Sequence, residues 1–434
     1  MSSSKQPLLI IVGYVWPEPN SSAAGQNMLA IIKRCLSADF NVTFLTAATD
    51  SDHKEDLTAL GVDVHSVALN CSSFNSQIAH IKPDVVIFDR YMTEEQFSWR
   101  VKEACPDALR VLNTEDLHSL RQARHEAVKQ DNDARLAQLN SELAQREVSA
   151  ILRSDLTLVI SKREMALLTE HYGVPRAQLQ YHPLVVGKTP LVTLPFEERA
   201  HFVHIGNFRH APNWDAVLQL KQSIWPEIRK ALPKAELHIY GAYPPKKATQ
   251  LHNEKQGFLV KGWAENVESI MLSAKALIAP LRFGAGIKGK LIDAMRCATP
   301  SITTWIGAEG ITSTDSITAN SNVQEIDEPK QLAQWPGALC SANTTDAAVI
   351  QDYVEQAVAL HNEKSTWDSA SNLTATILSS FESEQPEVPL IEKVIGLKQS
   401  LNTHRNGLFM QSLLWHQTLT ASKYMSQWIE AKNK

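Results

Sequence analysis

The strongest constraint on the fold is a series of short apolar runs spaced by amphipathic stretches, and the series occurs twice. Leu8–Gly13 (LLIIVG) is apolar throughout, as expected of a parallel strand buried on both faces. A Pro- and Gly-containing loop follows, and Gln26–Cys35 then shows helical periodicity, with Met28, Leu29 and Ile32 on one side. Asn41–Thr46, Val62–Val67 and Val85–Phe88 continue the strands. Pro183–Pro195, rich in Pro, Val and Thr without periodicity, reads as a linker. The pattern then restarts, with strands at Phe202–Ile205, Leu237–Tyr240, Phe258–Val260, Ala276–Ala279 and Ser301–Thr304. Helices are predicted from about Trp214, at Val267–Ala274 and at Lys288–Cys297. Strands and helices alternating at this spacing predict an α/β chain of two tandem doubly wound, Rossmann-like domains facing a cleft. The expected division is 1–186, 187–385 and a helical segment 386–434 that packs back on the first domain.

Composition narrows the function. The 434 residues are 44% hydrophobic and 21% charged, which excludes a disordered or fibrous chain. A net charge of −5 gives no reason to expect nucleic acid or an anionic membrane as partner. The five cysteines are far apart and form no CxxC pair, so neither a zinc site nor a disulfide framework is expected. Apolar runs stay below the roughly eighteen residues of a membrane span. The expected location is cytoplasmic, with any membrane contact peripheral. Leu120–Leu152 mixes charges of both signs and reads as a helix or helix pair with a solvated face. Near the end, Trp415, Tyr424, Met425 and Trp428 form an aromatic stripe of the kind usually buried in a core, here against the first domain or a second copy of the chain.

The chemistry concentrates in Pro280–Arg296. An apolar strand runs into a loop with Gly284, Gly286 and Gly289, and a helix opens within IKGKLIDAM. Glycines let a ligand approach the backbone, free amides at the helix start point outward, and the helix dipole favours negative charge. Arg282, Lys288 and Lys290 add three cations, so a diphosphate is the natural guest. Asp293, one turn into the helix, is placed to accept the hydroxyls of a ribose.

Three stretches carry a family resemblance: FVHIGNFRHAPNWDAV, WPEIRKALPKAELHIYG and PLRFGAGIKGKLIDAMRCATPSITTWIGAEGI. They resemble the C-terminal domain of family 4 (group 1) glycosyltransferases, retaining enzymes of the GT-B fold. The likeness runs from about Leu8 to Glu384 and is strongest from Val203 to Ile311. In the N-terminal half, a glycine loop ending in Ala24-Gly25 and the turn ISKREMALL are similar too.

The resemblance implies a nucleoside-diphosphate-sugar donor, with Asp293 on the ribose in place of the family's usual Glu. Gly25, Arg209, Arg282, Gly284, Gly286, Lys288 and Lys290 are implied at the phosphates, and Glu309 at the donor sugar. A second acid common in the family, eight positions before Asp293, is here Ala285, which puts the grip on the donor sugar in question. In Asn113-Thr-Glu-Asp116-Leu-His118, the resemblance points to His118 as the polar group at the reaction centre, with Asp116 second. Asp89-Arg90 ends a strand at the same cleft, and His182 reads as hinge packing. Retention, no metal and no cofactor beyond the donor are implied. The acceptor, whether glycan, lipid, protein or small molecule, is not specified, and neither is homodimerisation. A GT-B nucleotide-sugar epimerase and a non-enzymatic nucleotide-sugar-binding scaffold are the competing readings.

Overall fold

A computed structural model describes residues 6–312, 334–417 and 419–433. Two parallel sheets follow one another along the chain. The first has seven strands in the order β3-β2-β1-β4-β5-β6-β7. They are β1 Leu8–Gly13, β2 Asn41–Thr46, β3 Asp63–Ser66, β4 Val85–Asp89, β5 Leu109–Asn113, β6 Leu156–Val159 and β7 Leu179–Tyr181. The second has the order β10-β9-β8-β11-β12-β13. Its strands are β8 His201–Ile205, β9 Leu237–Tyr240, β10 Phe258–Gly262, β11 Ala274–Ala279, β12 Ser301–Thr303 and β13 Gly337–Leu339. Each order reverses once, between β1 and β4 and between β8 and β11. A doubly wound sheet opens a ligand crevice at such a point, at the carboxyl ends of the strands.

The strands read most directly from sequence are the central ones. β1, β2 and β9 have the predicted bounds, and β1 is apolar throughout because both its faces are buried. The short edge strands β7 and β13, three residues each, carry no such signal and are not foreseen. The helix that opens at Lys162 is α-helical only to Ala166 and continues as a π-helical turn to His171.

The stretch predicted as a solvated helix pair forms the helices His118–Lys129 and Glu142–Arg153. The expectation for their faces needs correcting. Arg124 and Glu147 lie fully buried on them, each on the apolar stripe of its helix.

After the second sheet, the helix Lys364–Ser383 packs on the helix Gly289–Arg296. The chain then returns to the first half. Leu390, Val394, Leu397 and Leu401 join the core beneath β1, β2 and β4. The helix Phe409–Gln417 lies against Glu142–Arg153, and Leu419–Lys432 against the helix Tyr91–Ala104. Arg405 and Gln411 converge on the buried carboxylate of Asp155, and the Trp415 indole donates to the Arg153 carbonyl at 3.0 Å. Of the predicted aromatic stripe only Trp415 is buried; Tyr424, Met425 and Trp428 are exposed. No described helix is long and apolar enough to cross a membrane. The five cysteines are free thiols.

Candidate active site

The loops at the carboxyl ends of β1, β4 and β5 face those of β8 and β11 across a cleft of about 680 Å3. On the second-domain side, β11 is followed by a tight loop and the helix Gly289–Arg296. Its N-cap residue, Lys288, gives no side-chain cap, so the first amides of this helix are available to an anion. Lys288 and Lys290 both line the cleft. Lys288 Nζ donates to the Gly286 carbonyl at 2.8 Å and lies 3.9 Å from Glu309. Lys290 Nζ donates to Asn213 Oδ1 at 2.7 Å. Burial lowers both ammonium pKa values, that of Lys290 to about 7. Asp293 lines the cleft one turn further on, its carboxyl raised by burial despite Arg296 at 3.4 Å.

After β8, Arg209 lines the cleft and stacks over the Tyr243 ring at 3.7 Å. His210, unnoticed in the sequence as a site residue, lines it too, with burial depressing its pKa to about 3.

On the first-domain side, Asp116 and His118 follow β5. Burial, outweighing the nearby Asp116 carboxylate, pulls the His118 imidazole down to about 4, so the ring is neutral at pH 7. Nε2 is 3.5 Å from Asp116 Oδ1, and the ring stands edge-on to Tyr91. Asp116 is also buried, and its ion pair with Arg121 overcomes that burial to hold the carboxyl well below the usual range. His118 opens its helix, and there Glu147 acts as the cap. Its carboxylate accepts the amides of His118 and Ser119 at 2.9 and 2.8 Å. Beneath them, Arg90 and Glu115 both adopt positive φ, 71° and 62°, at the ends of neighbouring strands. Such strain in non-glycine residues clusters at functional sites. Glu115 is clamped by the amides of Asn27 and Asn113, and burial pushes its carboxyl up to about 8.

The structure brings most of the sequence-predicted residues together at this cleft: Asp116, His118, Arg209, Gly284, Gly286, Lys288, Lys290 and Asp293. Three it places otherwise. Arg282 is not among the lining residues; its guanidinium makes a two-point pair with Asp215, because it alternates with the inward-facing Leu281 and Phe283. Glu309 lies behind the loop, buried against Arg124. Gly25 is packed under the 14–22 loop, where a Cβ would come within 2.3 Å of the Glu18 carbonyl oxygen.

The Gly284–Gly289 loop is shaped from across the cleft. Arg124 donates to both Glu309 oxygens at 2.7 Å and to the Gly284 carbonyl at 2.8 Å. Glu164 Oε1 accepts the Gly286 amide at 2.8 Å and the Leu117 amide at 3.1 Å. Gly286 itself has φ +63°, and a Cβ there would meet the Asp116 Cβ at 2.8 Å. Neither Arg124 nor Glu164 was found from sequence. The available signal was a charge on an otherwise apolar helical stripe, as in Leu120, Ala123, Arg124 and Ala127.

Residues 199–334 match a family model described as glycosyl transferases group 1. That match covers the second sheet from its first strand, β8, through β12. No curated protein matches in sequence. Among solved structures, this glycosyltransferase is similar to the sucrose-phosphate synthase of Thermosynechococcus elongatus. Identity is 13% and the TM-score 0.59, over 93% of this chain and 99% of that one. HepE of Anabaena, solved with UDP and glucose, is 11% identical with a TM-score of 0.58, over 93% and 100%. TarM of S. aureus, solved with fondaparinux, alpha-GlcNAc-glycerol and UDP, is 9% identical with a TM-score of 0.59, over 91% and 100%. At these identities the likeness speaks to the fold, which is GT-B. The glycosyltransferase domain contains β8 to β12 and the whole Gly284–Asp293 loop and helix start.

Proposed function

We propose that this glycosyltransferase moves a sugar from a nucleoside-diphosphate sugar to an acceptor held by the first domain, with retention of configuration and without a metal. The observation that carries the reading is the convergence of Lys288, Lys290, Arg209 and an uncapped helix N-terminus at the β8/β11 switch point, directly across from His118. The UDP held by HepE and TarM is consistent with a nucleoside diphosphate as the guest.

Breaking the anomeric C–O bond leaves its electron pair on the terminal phosphate of the nucleoside diphosphate. Lys288, Lys290 and the helix amides are aimed at that developing charge, so they stabilise the transition state more than the ground state. In a same-face transfer the leaving phosphate oxygen takes the acceptor hydroxyl's proton as the new glycosidic bond forms. That step asks for no separate base on the protein. Incubation with a panel of sugar nucleotides in EDTA, following nucleoside diphosphate release and the anomeric signal of the product by NMR, tests the reading. Release that needs added divalent metal, or an inverted product, would overturn it in part; donor binding with no turnover on any acceptor would favour a scaffold.

Replacing Lys288 or Lys290 by Ala should weaken nucleoside diphosphate binding by about 1.5–3 kcal/mol, the range for a charge-assisted hydrogen bond. Calorimetry checks this, and unchanged affinity in both variants would sink the assignment. Lys290 adds a proton linkage. With its pKa lowered to about 7 in the free cleft, it is largely neutral at pH 8, and a diphosphate must reprotonate it. Binding at pH 8 should therefore take up a proton, seen as a dependence of the calorimetric enthalpy on buffer ionisation, and affinity should fall as pH rises above 7. The Lys290→Ala variant should lose the uptake.

Asp293 is proposed to hold the ribose. Asp293→Asn should weaken binding of a ribonucleoside diphosphate while leaving its 2′,3′-dideoxy analogue nearly unaffected. Equal losses for the two would mean the carboxylate acts on the fold, through Arg296, and not on the ligand.

A further inference from the structure

The helices Phe409–Gln417 and Leu419–Lys432 are fastened to the first domain along one side. Trp415 and Gln411 bond to the Arg153 carbonyl, Ser426 accepts from the buried Arg100, Glu430 accepts from Ser72, and Lys423 pairs with Glu103. Their other side is apolar and uncovered. Phe409 is 76% exposed, Tyr424 62%, Met425 and Trp428 59% each, Met410 44% and Leu413 39%. The spacing places 409, 410 and 413 on one helical face and 424, 425 and 428 on another. Because the opposite faces are pinned, this is a preformed surface.

We infer that this surface is the interface of a homodimer. Its size fits that role. With roughly 150–250 Å2 per large side chain, the six expose on the order of 700 Å2. That summed area is close to the ~800 Å2 each partner buries in a stable complex. Its composition fits as well: Phe, Tyr, Trp and Met are the side chains enriched in interface cores.

Charge argues against a lipid surface. Lys423 is neutralised by Glu103, and Lys432, 5.2 Å over the Trp428 ring, is the other lysine of the last helix among the described residues. Binding an anionic bilayer takes a cluster of free cations, and the chain as a whole is at −5. The surface lies on the first domain, on helices that contribute no residue to the cleft lining, so pairing leaves the donor loop free.

The test is the mass of the full chain in solution, by light scattering on a sizing column and by sedimentation at micromolar concentration. The wild type should have twice the mass of one chain. A Phe409→Ser, Tyr424→Ser, Trp428→Ser variant with unchanged circular dichroism should have half the wild-type mass and keep its nucleoside diphosphate affinity. Flotation with vesicles of phosphatidylcholine and phosphatidylglycerol should leave the wild type unbound. A monomeric wild type overturns the inference whether or not it floats with vesicles, and so does a dimer that survives in the triple variant. If the triple variant does not fold, Trp428→Glu replaces it, with the same two outcomes.

Discussion

Replacing Arg124 by methionine is expected to destabilise the fold by about 3–5 kcal/mol, the cost of breaking a buried ion pair by removing one partner; Glu309 then keeps the more distant Lys288, at 3.9 Å, and Arg163, at 4.0 Å. The stranded group is Glu309, 9% exposed, which the guanidinium bonds at both oxygens. Burial pushes the Glu309 carboxyl up, but Arg124 more than compensates and holds it at about 2. The sign of the pH dependence follows. A carboxyl depressed below its unfolded value contributes stability that is complete above about pH 4.5 and is lost as pH falls through about 2. The Arg124→Met variant should lack that acid-side loss. Urea unfolding of Arg124→Met, Glu309→Met and the double variant closes a cycle. The double variant should recover most of the stability, because a well-packed apolar pair can replace a buried ion pair at little cost. A single variant within about 1 kcal/mol of wild type would show that the pair contributes little. The same substitution removes a donor from the Gly284 carbonyl, so nucleoside diphosphate affinity should fall along with stability.

His118→Ala is expected to lower kcat by about 100- to 10,000-fold, the range for a positioned polar group at a reaction centre, with nucleoside diphosphate affinity near wild type. The imidazole is neutral, since burial takes its pKa to about 4, so its role is to hold or donate a hydrogen bond and not to supply a positive charge. The wild-type rate should therefore show no inflection near pH 6.5 from this group. His118→Gln, which keeps a donor and an acceptor, should recover part of the loss. Intact turnover in His118→Ala would move the reaction centre elsewhere among the first-domain loops. A parallel loss of nucleotide affinity would place the residue in loop positioning, through its ring contacts with Asp116 and Tyr91.

The parts of the molecule that could be read from sequence are those in which one local property decides the outcome. Central strands such as Leu8–Gly13 are legible because burial on both faces leaves few choices of side chain. The loop and helix start at Gly284–Asp293 are legible because glycines, lysines and a helix opening coincide within ten residues. Arg124, Glu147 and Glu164 are not legible in the same way, since each is meaningful only beside a partner 28 to 185 residues away. Arg282 misled for the same reason. Its charge and position suited a phosphate, but Asp215, one helix away in space, claims it first. The alternation Leu281-Arg282-Phe283 was the clue that it faces the other way.

The pairing of Arg124 with Glu309 sets terms for building chimeras from this enzyme. GT-B chains invite recombination at the linker, joining one protein's first half to another's second. A cut there separates the guanidinium on His118–Lys129 from its carboxylate, and Glu164 from the Gly286 amide. A second half moved alone would arrive with Glu309 stripped of its two-point partner and left to Lys288 at 3.9 Å, and with the Gly284–Gly286 loop unsupported. A functional graft must therefore carry matching residues at 124 and 164 in the recipient, so the modules that exchange cleanly are defined by these contacts across the cleft and not by the domain boundary.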